Sequence, residues 1–160
     1  MNDQTLSKNA QNIQNFLNEN GVQAHILELP SSTRTAQDAA QTIGCTINQI
    51  VKSLIFKTKD HDEPILILAS GPNRVNETMI EKIIGEKIIK ADADFSKEVT
   101  GLAIGGIPPV GHKRTIRTFI DEDLMQFTEL WAAAGTPNAV FCLNSNDLFS
   151  LTKGIIIAIH

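Results

Sequence analysis

Leu6, Ala10, Ile13 and the pair Phe16-Leu17 recur at three- to four-residue spacing, and Asn20-Gly21 follows them. That spacing predicts an amphipathic helix with a left-handed stop. Residues 22–29 are short, partly alternating and closed by Pro30, the pattern of a strand. The hydroxyls of residues 31–35 then stand before an apolar-periodic run, Ala36 to Ile43, that ends at Gly44, so a second helix follows on a strand-to-helix turn. A half-turn over 48–51 leads into a strand at 53–57, the polar cluster 59–64 makes a turn, and 65–69 is a second strand, which together predict a hairpin.

Asn76 is placed to cap a helix through Ile84 with Gly85 as its stop, residues 87–90 form a short strand, and 92–99 form another capped helix. Residues 100–112 hold four glycines and two prolines in thirteen positions, with apolar residues between them. So many breakers forbid a regular element, and the apolar content argues against a solvated loop, so a fixed loop at a buried edge is expected. Strands are predicted at 115–120, 139–143 and 154–159, and Ser145 is read as the cap of a helix near 147–151. Helices and strands alternate irregularly, with no linker and no internal repeat, so residues 1–160 are expected to form one α+β domain on a mixed sheet. No glycine-rich phosphate motif joins a strand to a helix, which disfavours a doubly wound nucleotide fold.

Charge narrows the classes of partner. The chain has 14 basic and 18 acidic residues and a formal net charge of −4, so contact with a nucleic acid needs a local basic patch. There is no basic, apolar leader and no run of membrane-spanning length, which points to a soluble cytoplasmic protein that contacts neither membrane nor DNA. The two cysteines, Cys45 and Cys142, lack metal or disulfide spacing and are read as packed, reduced thiols.

Three features could carry chemistry. Gly105-Gly106 would let a ligand approach main-chain groups held still by Pro108 and Pro109, although a tight turn at a sheet edge explains the same residues. Lys52, inside the apolar run 50–56, either snorkels from a sheet edge or meets an anion in a pocket. His112 follows the loop and could position water or exchange a proton, or it is simply a hydrogen-bonded group. Lys113, Arg114 and Arg117 cluster after it as a small basic patch or as a solvated strand face. The four histidines lack paired spacing for a metal, and a Cys142/His112 nucleophilic pair has no surrounding motif.

The segment Gln49-Ile50-Val51-Lys52-Ser53-Leu54-Ile55-Phe56, the loop Thr100-Gly101 through Gly105-Gly106-Ile107, Pro109 and Gly111, and the stretch Thr33-Arg34-Thr35-Ala36 resemble the YbaK/EbsC family over almost the whole chain. These are aminoacyl-tRNA deacylases related to the editing domain of bacterial prolyl-tRNA synthetases. The resemblance implies an α+β fold on a mixed, largely antiparallel sheet and a free-standing hydrolase for the ester of a mischarged amino acid, most typically on the tRNA for proline. Its partners would be the acceptor end of mischarged tRNA and prolyl-tRNA synthetase, and no metal or organic cofactor is implied.

By position, Lys52 would hold the acceptor-end phosphate or ribose and the Gly105-Gly106 backbone would contact the ester. Ser53 and the Thr33 to Thr35 stretch would shape the side-chain pocket, with Gly111 leaving room for substrate. His112 joins the catalytic set as an orienter of water, and Arg34, Lys113, Arg114 and Arg117 are the expected tRNA contacts. Pro108 and His112 depart from the cysteine-clearing branch, which points to alanine, serine, threonine or 2-aminobutyrate as the residue cleared. The alternatives are a non-catalytic acceptor-end binding module or synthetase partner, and a thiol hydrolase using Cys142.

Overall fold

The computed structural model describes residues 6–30 and 35–160. The predicted first helix is α1 (Lys8–Glu19), capped by Ser7, and it buries Ala10, Ile13 and Leu17 as the spacing requires. The strand expected over 22–29 shortens to β1 (Leu27–Glu28). Val22, Ala24 and Ile26 do alternate into the core. The Gln14 side chain replaces the ladder there: its amide donates to the Ala24 carbonyl at 2.7 Å and its oxygen accepts from the Ile26 N–H at 3.1 Å.

Thr35 caps α2 (Ala36–Ile43), which ends at left-handed Gly44. After a short 3-10 turn at Ile47–Gln49 come β2 (Ile50–Thr58) and β3 (Pro64–Ser70), the predicted antiparallel hairpin. Then follow α3 (Glu77–Ile84) capped by Asn76, β4 (Ile88–Lys90) and α4 (Ala93–Thr100) capped by Asp92. The chain continues through β5 (Arg117–Asp121), a second 3-10 turn at Glu122–Gln126, β6 (Leu130–Ala133), β7 (Ala139–Leu143), α5 (Ser145–Thr152) and β8 (Ile155–Ile157). Asn144, one residue before the expected Ser145, caps α5 by accepting the Asp147 N–H at 2.7 Å. The sequence pattern left β6 unpredicted, because four residues reading Leu-Trp-Ala-Ala carry no alternation.

The strands form one mixed eight-stranded sheet in the order β1-β7-β6-β2-β3-β5-β8, with β4 added to β2. Four of its seven pairings are antiparallel and three parallel. β3 lies between β2 and β5, and each of its residues is buried. Apolar side chains on both faces account for that: Leu66 and Leu68 join Val51, Ile55 and the buried residues of α1, while Ile65, Ile67 and Ala69 join Ile80 of α3 and Phe119. Each leucine, isoleucine, valine or phenylalanine among them contributes roughly 1.5–3 kcal/mol on removal from water. α2 closes a smaller cluster of Ala39, Ala40 and Ile50 against Trp131.

Candidate functional site

The sheet is interrupted along one edge of β2. On the side away from β3, β6 pairs only with Ile50 and Val51, and β4 pairs only with Phe56 to Thr58. Past that pairing, the Ala91 N–H reaches the Ile55 carbonyl at 3.1 Å. Main-chain groups in a strand alternate between its two edges. Ser53 therefore faces the gap with its N–H and C=O, because Ile55, two residues on, turns its carbonyl to that side.

A cleft of about 560 Å³ occupies the gap, and the unbroken run Ile50 to Ile55 lines it. That volume is in the usual range for small-ligand sites. Side chains alternate across a strand, so Ile50, Lys52 and Leu54 reach the cleft from one face and Val51, Ser53 and Ile55 from the other. The remaining wall comes from α2 (Ala36, Ala39 and Ile43), from Trp131 to Ala133, from Ala91 and Ser96, and from Ile104, Gly105 and Ile107.

Lys52 is partly buried. Its Nζ donates to the main-chain carbonyl of Asn73 at 2.7 Å. The Asn73 side-chain amide donates to Asp121 Oδ2 at 2.8 Å and to Asp123 Oδ2 at 2.7 Å. Asp121 is fully buried, and it also accepts the Ser70 N–H at 2.9 Å and the Asp123 N–H at 3.0 Å. The turn carrying Asn73 can sit there because residue 71 is glycine: a Cβ at Gly71 would lie 2.2 Å from the Ile47 carbonyl oxygen. Burial pushes the Lys52 pKa below the ordinary lysine value, with the positive charge of Arg74 acting the same way, while Asp121 opposes. Lys90 adds a further cation.

Arg74 and Lys90 are both exposed, and with Lys52 they form a basic group beside the cleft that the sequence reading missed. Their signals were slight, Arg74 closing a Gly-Pro-Asn-Arg turn and Lys90 ending a strand of three residues.

The glycine-rich loop divides between two tasks. Gly105, at φ 97°, lines the cleft. Ile104 stands 57% exposed at its rim. Gly106 is a close-packing residue: its carbonyl accepts the Gly135 N–H at 2.8 Å, and a Cβ there would lie 2.8 Å from the Thr136 backbone. Thr35 lines the cleft as well as capping α2. Thr33 and Arg34 lie outside the described residues.

The structure does not bring His112 to this cleft. His112, Gly111, Lys113 and Arg114 line a different pocket, against Asn12, Asn15 and Phe16 of α1. The His112 Nε2–H donates to the Pro108 carbonyl at 2.6 Å, and burial holds its pKa below the ordinary value, against the raising effect of that bond. Gly111 faces α1, where an added Cβ would meet Ile13 at 3.0 Å, so the room expected there for substrate is occupied. Arg117 lines neither pocket. Its guanidinium lies 5.3 Å from the Phe119 ring centroid, a cation–π contact. The basic patch expected from residues 113–117 is thus separated from Lys52.

Cys142 is also absent from the lining of the cleft. Burial pushes the pKa of both thiols up, which opposes nucleophilic use. Among the described residues, no cluster of three or more His, Cys, Asp or Glu could hold a metal ion, and no helix is long and apolar enough to cross a membrane. What the cleft does combine is cations near Lys52, an open strand edge and a small apolar chamber. That set is suited to an anionic ligand carrying a small, mostly apolar group.

Residues 30–151 match the family model described as the aminoacyl-tRNA editing domain. The chain is similar to the uncharacterized protein YwhH of Bacillus subtilis, at 31% identity over 130 residues, covering 80% of this chain and 82% of that one. It is 33% identical over 98 residues to the proline–tRNA ligase of Thermoanaerobacter sp. (strain X514), a match that takes in 59% of this chain and only 17% of the ligase. Among solved structures, "Crystal structure of a putative trans-editing enzyme for prolyl tRNA synthetase" superimposes with a TM-score of 0.91 at 39% identity, covering 97% of this chain and 98% of that one.

Proposed function

The chain belongs to the aminoacyl-tRNA editing domain family, and from that membership we propose that it is a hydrolase that clears a small mischarged amino acid from tRNA in trans. The observation that carries this reading is the gap in the sheet at Ser53, with Lys52 and Gly105 on the walls of one cleft. The terminal ribose and phosphate of the acceptor end lie against Lys52, with Arg74 and Lys90 beside it. The aminoacyl group enters the apolar chamber between α2, Trp131 and Ile107. The main chain at Gly105 and along the open edge of β2 contacts the ester and polarises its carbonyl, as fixed dipoles do best in a site that excludes water.

Water adds through its oxygen to the ester carbon, and the bond to the ribose oxygen breaks. The ribose oxygen leaves with a proton, giving free tRNA and a free amino acid. An ester fixed beside its attacking water needs no covalent nucleophile, since positioning alone removes a large part of the barrier. The similarity to proline–tRNA ligases supports the tRNA for proline as the carrier, and prolyl-tRNA synthetase as the partner that would deliver it.

The test is incubation of the protein with a panel of tRNAs charged with alanine, serine, threonine, 2-aminobutyrate or cysteine. Loss of ester above the buffer rate on at least one of them is the expected result. Saturable binding with an unchanged ester lifetime would replace the hydrolase with a binding module.

A further inference from the structure

Among the described residues, Ser53 Oγ is the buried side-chain oxygen that has no hydrogen-bond partner. A hydroxyl in that position is unfavourable for folding, because it has lost water and gained nothing in return. Its neighbours on the same face of β2, Val51 and Ile55, are core residues, so alanine would satisfy packing at position 53 without that penalty. The hydroxyl therefore points to a partner that arrives from outside the chain. Ser53 lines the cleft, and the buried Ser96 of α4 lines it too, amid the apolar side chains of Ile55, Ala91 and Ile107.

The surroundings select what that partner can be. Among the described residues, no aspartate or glutamate lines the cleft, whereas Lys52 and Lys90 do. An ammonium on the aminoacyl side chain would thus find no counter-charge in that lining. A methyl group would leave Oγ as unsatisfied as it already is. A neutral hydroxyl can both donate and accept, and so completes the bonding of Ser53 without bringing charge into the chamber.

Resting on the editing reading above, we propose that Ser53 Oγ is the specificity-determining group of the cleft, exchanging a hydrogen bond with a hydroxyl on the aminoacyl side chain. Aminoacyl groups with a hydroxyl on their side chain are then cleared ahead of aliphatic ones of nearly the same size. A pocket that hydrogen-bonds a substrate hydroxyl discriminates against the analogue lacking it more sharply than an apolar pocket discriminates by size.

The experiment measures kcat/KM on seryl and alanyl esters of one and the same tRNA, for the wild-type protein and for Ser53→Ala. The wild type should favour the seryl ester by about tenfold or more, and Ser53→Ala should bring the ratio close to one. A ratio unchanged by the substitution, an equal fall on both esters, or a wild-type preference for alanyl would each overturn the assignment while leaving the hydrolase intact. Absence of hydrolysis on either ester by the wild type, with none on the wider panel, would instead remove the editing reading and this inference with it.

Discussion

Lys52 Nζ is held 2.7 Å from the main-chain oxygen of Asn73, so the cation beside the cleft is fixed by a turn from the far end of the next strand. A neutral carbonyl satisfies one of three ammonium donors and leaves the full charge available to a ligand. Lys52→Ala should cut deacylation by about a hundredfold or more, as expected when a preorganised charge is removed from the reacting region. Lys52→Arg should also be impaired, because a planar guanidinium does not reproduce a compact ammonium. Single-turnover rates together with thermal melts test this: a fall in rate with a melting temperature near wild type is expected, and retained activity with unchanged salt dependence would reject the role.

Asn73 connects that lysine to two acidic side chains. Its amide bridges Asp121 and Asp123. Asn73→Ala should therefore loosen the turn that aims Lys52 and leave two carboxylates without the donor between them. About a tenfold loss in kcat is expected, with a smaller change in KM and a stability loss of about 1–3 kcal/mol. Denaturant midpoints and steady-state kinetics measure the two parts, and a KM effect alone would show that the turn does not position the reacting groups.

Gly106 gives a purely steric prediction. A methyl group there meets the Thr136 backbone at 2.8 Å and Gly135 at 2.9 Å, and neither is a flexible side-chain end. Gly106→Ala should lower stability by about 1–3 kcal/mol as the loop is pushed away from its partner turn. Urea unfolding checks the figure, and a variant as stable as wild type would mean that the contact gives way freely.

The sequence disclosed most where local chemistry is self-sufficient. Thr35, Asn76 and Asp92 each cap the helix that follows, and the hairpin of β2 and β3 follows from two apolar runs around a polar turn. It disclosed least where one element completes another. The backbone near Ala24 is bonded by a glutamine side chain of α1, and β6 is a strand because β2 and β7 flank it. The site divides in the same way. Lys52, Ser53, Thr35 and Gly105 could be picked out from motifs, whereas Lys90 reaches the cleft only through the pairing of β4, and Arg74 comes near Lys52 only through the turn after β3. His112 is close to Gly105 along the chain, but the loop between them crosses from one pocket to the other.

That redistribution of charge can be measured through salt. Each phosphate contact by a cation steepens the fall of affinity with ionic strength, by about 0.7 in log–log slope on a single strand. Arg74→Ala and Lys90→Ala should each weaken binding of aminoacyl-tRNA and lower the slope by about one such contact. Lys113→Ala and Arg114→Ala, in the other pocket, should leave the slope near wild type. Binding isotherms across a salt series decide between the two groups, and the reverse pattern would move the acceptor end to the face of α1.

Burial of His112 should give the stability a pH signature. Burial holds its folded pKa below the ordinary histidine value of 6.5. Between that lowered value and 6.5 the unfolded chain binds a proton that the folded chain does not, so stability rises with pH across that window. The contribution is complete above about 6.5 and is lost as the pH falls towards the folded value. His61, paired with Glu86 at 2.6 Å, is shifted upwards instead, and its contribution runs the opposite way, being lost as the pH rises through its elevated value. Denaturant midpoints from pH 5 to 8 for wild type, His112→Asn and His61→Gln separate the two. His112→Asn should remove the destabilisation on acidification, and it should keep most of the deacylation rate because its side chain lines the pocket away from Lys52. An activity loss of a hundredfold or more, with the acid limb of the stability curve unchanged, would instead return His112 to the reacting centre.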